Sequence, residues 1–322
     1  MIKGVPTRVA YGDALVEMGK KHKDIVVFEA DISTSTQTCK FAKAYPERFF
    51  NMGIAEQNMM GAAAGISTTG LVPFVSTYAV FASMKACEQI RTSIAYPNLN
   101  VKIAVSHGGL TPGTDGVTHQ ATEDLSIMRS IPNMTVAMPA DAVATKVLVE
   151  KAYQLKGPVY LRFTRCPLPI IYPKDKTDFT FGKAVTLKEG NQITLIAIGD
   201  MVYQALEAAK ELEKKGISTR VVDMHTIKPL DEECLRQVAR ETKAVVTIED
   251  NTILGGLGSA VCEYYAEHFQ IPVKRIGLKD TFAESGEYLE LLKKYGLSSE
   301  DIVRAAEKLA INNNLYYEGQ NK

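Results

Sequence analysis

The chain carries no surplus of charge: Lys+Arg and Asp+Glu number 37 each. With no basic stripe either, an electrostatic footprint for nucleic acid or an anionic membrane is excluded, and small-molecule partners remain. Paired cysteines are also lacking. Cys39, Cys87, Cys166, Cys234 and Cys262 fall at neither zinc-site nor disulfide spacing, so no metal centre is expected and the thiols read as buried or surface groups. No apolar run reaches the ~20 residues that span a bilayer. The opening Met1-Ile2-Lys3-Gly4-Val5-Pro6 has no apolar core followed by a small-residue cleavage site, so a cytoplasmic location is expected. Biased tracts and repeats of fixed period are missing too, which argues against disorder and solenoids.

What is present is enough apolar residue for two cores: 322 residues, 46% hydrophobic. Short β-branched runs at residues 25–28, 101–105, 135–138 and 159–163 alternate with helical stretches, the first from about Thr7 to Lys20. That alternation predicts a mainly parallel α/β sheet. The polar stretch Tyr172-Pro173-Lys174-Asp175-Lys176-Thr177-Asp178 breaks the pattern and reads as a linker. Beyond it a strand is expected at 193–198. A helix at about 202–215 follows, with Val202, Leu206, Ala209 and Leu212 at helical spacing before Gly216, and then strands at 219–222 and 244–248. The fold class is therefore α/β in two domains, each a mainly parallel sheet flanked by helices. Residues 1–172 form the first, 173–186 the linker and 187–322 the second.

Three segments concentrate reactive chemistry. In Gly53-Ile54-Ala55-Glu56-Gln57-Asn58-Met59-Met60, Glu56 stands near the first turn of an Ala/Gly-rich helix, where a carboxylate complements the helix dipole by about 0.3–1 kcal/mol or else serves a site. Tyr78 and Phe81, three apart, share a face if a helix begins there, as core or as a ring-binding wall. In Ser106-His107-Gly108-Gly109-Leu110-Thr111-Pro112-Gly113-Thr114-Asp115-Gly116-Val117-Thr118-His119-Gln120, two of the five histidines fall in a glycine-rich loop directly after a strand. Loops in that position line α/β active sites.

These segments resemble transketolases and 1-deoxyxylulose-phosphate synthases, over nearly all of residues 7–310. The resemblance implies thiamine diphosphate as cofactor. Glu56 would hydrogen-bond its aminopyrimidine ring and favour the imino tautomer that removes the thiazolium proton, and Tyr78 and Phe81 would pack on that ring. His107, Asp115 and His119 would bind the sugar hydroxyls and donor carbonyl, with both histidines catalysing proton transfer jointly; the family motif has Pro where this chain has Val117. Arg8, Ser35 and Arg165 match positions that bind a sugar phosphate, whereas Arg91 is left as structural or interfacial. The implied activity is two-carbon ketol transfer between ketose and aldose phosphates of the pentose-phosphate type.

In this family a Gly-Asp-Gly segment followed by Asn holds the divalent cation, Mg2+ or another, and the diphosphate. This chain lacks it; Gly199-Asp200-Met201 is the nearest approach. The resemblance therefore implies a separate diphosphate-binding N-terminal subunit that holds the metal, in a heterotetramer with two copies of each chain. The third-domain segments His225–Asp231 and Thr247–Asn251 imply subunit assembly and carry no catalytic residue. Three rivals stay open. A split 1-deoxyxylulose-phosphate synthase shares both key segments, although Met84 stands where that family carries Arg. A 2-oxo acid dehydrogenase β subunit departs from them. A non-catalytic assembly subunit would not need Glu56, His107, Asp115 and His119 together.

Overall fold

The computed structural model describes residues 4–313. Residues 1–3 and 314–322 lie outside the described residues, and with them the start of the expected first domain and the end of the expected second. In chain order the strands are β1 (Val5–Pro6), β2 (Ile25–Glu29), β3 (Phe49–Asn51), β4 (Val72–Ser76), β5 (Lys102–Val105), β6 (Thr135–Ala137) and β7 (Val159–Arg162). Then follow β8 (Pro167–Leu168), β9 (Val185–Lys188), β10 (Ile193–Ala197), β11 (Thr219–Asp223), β12 (Thr226–Lys228), β13 (Ala244–Thr252) and β14 (Val273–Leu278).

Beside the antiparallel pair β1-β8, two larger sheets result, of seven strands in the order β12-β6-β7-β5-β4-β2-β3 and five in the order β14-β13-β10-β11-β9. Both are parallel except at one edge, where β12 runs antiparallel to β6 and β9 antiparallel to β11. Every residue of β2, β4, β5, β10 and β11 is buried, because helices cover both faces. That is why these strands read as short, mostly apolar runs without the alternation of a one-sided sheet. The helix Met201–Lys214 buries Val202, Ala209 and Leu212 as its spacing predicts, and Gly216 follows it at φ +79°.

Sequence pattern and structure part company at three places. Val72–Ser76 is a strand despite Pro73, and Tyr78 precedes the helical turn instead of sharing a helical face with Phe81. Strand β13 runs past Ile248 through Glu249, Asp250 and Asn251, all buried. Polar residues survive there because Glu249 accepts from Leu257 N–H and Gly258 N–H, both at 2.8 Å.

The third is β12, which comes from the second half of the chain and completes the first sheet. Core residues Ile196, Ile198 and Val222 pack in one cluster with Val136 and Met138, so the two sheets share an interior. The linker is pinned as well. Asp141 accepts from Ile171 N–H and Tyr172 N–H, and Tyr172 Oη donates to Asp223 at 2.6 Å. Burial pushes the Asp223 carboxyl up to about 7, ahead of any other influence on it.

Candidate active site

The site assembles on the carboxyl edge of the seven-stranded sheet. Tyr78, just after β4, bridges to Ser106, just after β5, and so delivers its ring beside His107. The two rings stack with centroids 3.9 Å apart, and Phe81 stacks on Tyr78 at 5.7 Å. His119 closes the group edge-on, 5.8 Å from Tyr78 and 5.6 Å from Phe81. Four rings from two stretches of sequence thus form one wall.

Glu56 begins the helix Glu56–Ser67, after a turn in which Gly53 takes φ +71°. Its side chain is only 3% exposed, and Oε2 accepts from Lys85 Nζ at 2.6 Å. Lys85 ends a short π-helical turn, Phe81–Lys85, and its ammonium lies 5.4 Å from the Phe81 ring centroid. Such turns concentrate at functional sites. Sequence reading missed Lys85, since nothing local ties it to a carboxylate 29 positions earlier. Met84, where a related family carries Arg, is half exposed beside it.

The cationic side is equally compact. Arg165 Nη1 pairs with Asp115 Oδ1 at 2.9 Å and also donates to the Pro112 carbonyl. Arg8 Nη1 donates to the backbone carbonyl of Ser35 at 2.7 Å, so it reaches that residue's main chain rather than its hydroxyl. Arg8 Nε is buried with no hydrogen-bond partner. His107 sits among these charges in the left-handed region, φ +63°, with Nδ1 2.8 Å from Ser106 Oγ.

Burial first, then the positive fields of Arg8, Arg165 and His119, pushes His107 down to about 3. Its ring is therefore neutral at physiological pH and presents one N–H donor and one acceptor nitrogen. Burial likewise takes His225, whose Nε2 is 3.2 Å from the Thr180 carbonyl, down to about 4. In a histidine-ring NMR titration neither should change charge between pH 5 and 8. Both groups are depressed in the fold, so they favour it above the unfolded value near 6.5, and that share is lost as pH falls toward 3–4. Titration of either ring near pH 6.5 in the folded chain would contradict its buried, charge-surrounded setting.

The loop bearing both histidines is held from behind by the second half of the chain. Leu110 N–H donates to Asp250 Oδ2 at 2.8 Å, and Gln120 Nε2 to the Glu284 carbonyl at 3.0 Å. A Cβ at Gly108 would lie 1.9 Å from Arg162 Nε, and one at Gly109 2.1 Å from Asp250 Oδ2, so the loop needs glycine at both positions. Arg162 is fully buried. Its Nη2 donates to the Asp250 carbonyl at 2.7 Å, and its Nε lies 3.5 Å from Asp124 Oδ2, an ion pair rather than a hydrogen bond. Asp250 in turn faces Asp200, which takes a short hydrogen bond from Tyr288. Burial and then the Asp200 charge drive Asp250 well above its usual range, which favours its neutral form. The Gly199-Asp200-Met201 turn thus turns its carboxylate inward. Among the described residues no group of three or more His, Cys, Asp or Glu side chains converges to hold a metal, and no helix is long and apolar enough to cross a membrane.

Residues 3–169 match the family described as the pyrimidine-binding domain of transketolase, and residues 182–302 the transketolase C-terminal domain. The chain is 48% identical over 299 residues to a putative transketolase C-terminal section from Methanocaldococcus jannaschii, covering 92% of this chain and 94% of the relative. It is 41% identical over 302 residues to a 6-deoxy-6-sulfo-D-fructose transketolase subunit from a Clostridium species, covering 94% of each. Among solved structures it resembles a split-gene transketolase described as an inactive β4 tetramer, with a TM-score of 0.87, 53% identity and coverage of 95% and 98%. The chain therefore belongs to the transketolase family, as a C-terminal subunit carrying that family's pyrimidine-binding and C-terminal domains.

Proposed function

We propose that this chain is the C-terminal half of a split, thiamine-diphosphate-dependent transketolase. It would move a two-carbon ketol unit from a ketose phosphate to an aldose phosphate, with a separate diphosphate-binding subunit. The observation that carries the reading is a buried carboxylate, Glu56, tied through Lys85 and Phe81 to a wall of Tyr78, His107 and His119. A flat, polar-edged aminopyrimidine fits such a place: an acceptor at one end and aromatic faces along it. When bound, thiamine diphosphate supplies the nucleophilic carbon.

In this reading Glu56 holds the ring-nitrogen proton, and Tyr78 with Phe81 orients the ring and excludes water. His107 and His119 bind the donor's carbonyl and hydroxyl groups and move the hydroxyl proton as the carbon–carbon bond breaks. The neutral His107 suits either office, since it carries both a donor and an acceptor nitrogen. Asp115 orients sugar hydroxyls, and Arg8, Arg165 and Ser35 receive the anionic end. The same guanidinium chemistry would accept a sulfonate, the group on the substrate named for the Clostridium relative. The cation, Mg2+ in the family, and the diphosphate would be held by the partner subunit in a heterotetramer, because this chain has no Gly-Asp-Gly segment.

The test is to copurify the chain with that partner and compare ketol transfer between sugar phosphates with pyruvate decarboxylation. Transfer by the pair, and no turnover by the chain alone, is the expected result. Pyruvate consumption without transfer would overturn the assigned reaction, and full activity from the single chain would overturn the split.

A further inference from the structure

A buried carboxylate without a donor is costly, yet Glu56 has to be open to a ligand if the reading above is right. Among the described residues, the donor seen on that carboxylate is Lys85. The two sides of the pair are unlike: Glu56 is 3% exposed, whereas the Lys85 side chain is 49% exposed. An ammonium that exposed can leave its partner and be rehydrated at little cost, whereas the carboxylate cannot go anywhere. Lys85 also hangs from a one-turn π-helical segment, whose geometry is weaker than that of a regular helix. Its ammonium lies by Phe81, on the aromatic wall itself, so it stands in the space that a ring bound to Glu56 must enter.

We infer that Lys85 is a placeholder: in the unloaded subunit it satisfies Glu56, and it yields that place when the cofactor's aminopyrimidine enters. This makes Lys85 a positioning residue that acts through Glu56, and it rests on the assignment of Glu56 to the cofactor. The consequence follows from a thermodynamic cycle. Removing Lys85 costs the unloaded state its ion pair and costs the loaded state nothing, so cofactor binding must tighten by what the pair was worth.

The experiment is calorimetric titration of thiamine diphosphate with Mg2+ into the assembled complex, for wild type, Lys85→Met, Lys85→Gln, Lys85→Arg and Glu56→Gln. Thermal melting of each is followed with and without cofactor. Lys85→Met and Lys85→Gln should bind roughly two- to fivefold tighter, equivalent to the about 0.3–1 kcal/mol that a half-exposed pair contributes. Their unloaded melting temperature should fall and the loaded one stay at the wild-type value. Lys85→Arg, which keeps the cation, should restore wild-type affinity. In the free chain, Lys85→Met and Glu56→Gln should be non-additive in stability, because each breaks the same pair.

Weaker or unchanged binding in both Lys85→Met and Lys85→Gln overturns the placeholder, as does a Lys85→Arg variant that binds as tightly as Lys85→Met. Glu56→Gln separates the two ideas. If it binds cofactor and turns over like wild type, the assignment of Glu56 fails. If it loses binding while Lys85→Met gains none, only the placeholder fails.

Discussion

Glu56→Ala should reduce kcat of the assembled enzyme by about 10²–10⁴-fold, the range typical for loss of a positioned acid–base group, without unfolding the chain. The side chain is buried at the first turn of the helix Glu56–Ser67, so its structural worth has two parts. A helix-terminal carboxylate contributes about 0.3–1 kcal/mol, and the pair with half-exposed Lys85 adds a similar modest amount once solvent screening is allowed for. Neither loss rivals the stability of a domain, and Lys85 can turn to water. The chemistry has no such substitute, because no other carboxylate stands at the Tyr78–Phe81 end of the wall among the contacts described. Circular dichroism and melting curves should therefore stay near wild type while turnover collapses. A Glu56→Ala enzyme with more than a tenth of normal kcat would remove Glu56 from the mechanism.

Asp250→Ala should be the most destabilising of the single changes discussed, at about 3–5 kcal/mol, because it breaks a buried charge network from one side. That corresponds to a melting temperature lower by roughly 6–20 °C. Two buried groups lose their neighbour together, the Leu110 N–H at 2.8 Å and the Asp200 carboxyl, and the fully buried Arg162 loses a nearby carboxyl while keeping its bond to the residue 250 carbonyl and its pair with Asp124 at 3.5 Å. Because Leu110 lies between the two histidines of the loop, turnover should fall as well. Asp250→Asn is the informative companion. An amide can still accept from Leu110 N–H, and it is neutral, the form that burial and the Asp200 charge favour for Asp250. It should melt close to wild type. Equal damage from Asn and Ala would show that a neutral polar side chain does not suffice at position 250, and a cost below about 1 kcal/mol for Ala would show that Asp250 does not anchor the loop.

Much of the fold was legible because burial on both faces leaves a simple signature. Strands such as Ile25–Glu29 and Ile193–Ala197 are buried at every position and mostly apolar, and the helix Met201–Lys214 repeats its apolar residues at helical spacing. The sequence pattern failed where local chemistry argued against the final state. Pro73 sits in a parallel strand opposite Val26, and Glu249-Asp250-Asn251 lies past the strand expected at 244–248 but is buried strand, since its polar atoms find partners elsewhere in the chain. Such compensation is invisible in any local window.

The candidate site divides in the same way. The residue types Glu56, His107, Asp115 and His119 within their short motifs, and the missing Gly-Asp-Gly segment, stand in the sequence itself. Together with the apolar periodicities they determine the α/β class and the family, because motif chemistry and strand burial are properties of contiguous residues. Tertiary structure alone decided which groups meet: Lys85 on Glu56, Arg165 on Asp115, Arg8 on the Ser35 carbonyl, and Asp250 behind Leu110. Those pairs are separated by 29, 50, 27 and 140 positions, and their strength depends on distance and desolvation, which exist only once the two sheets have closed on a common interior.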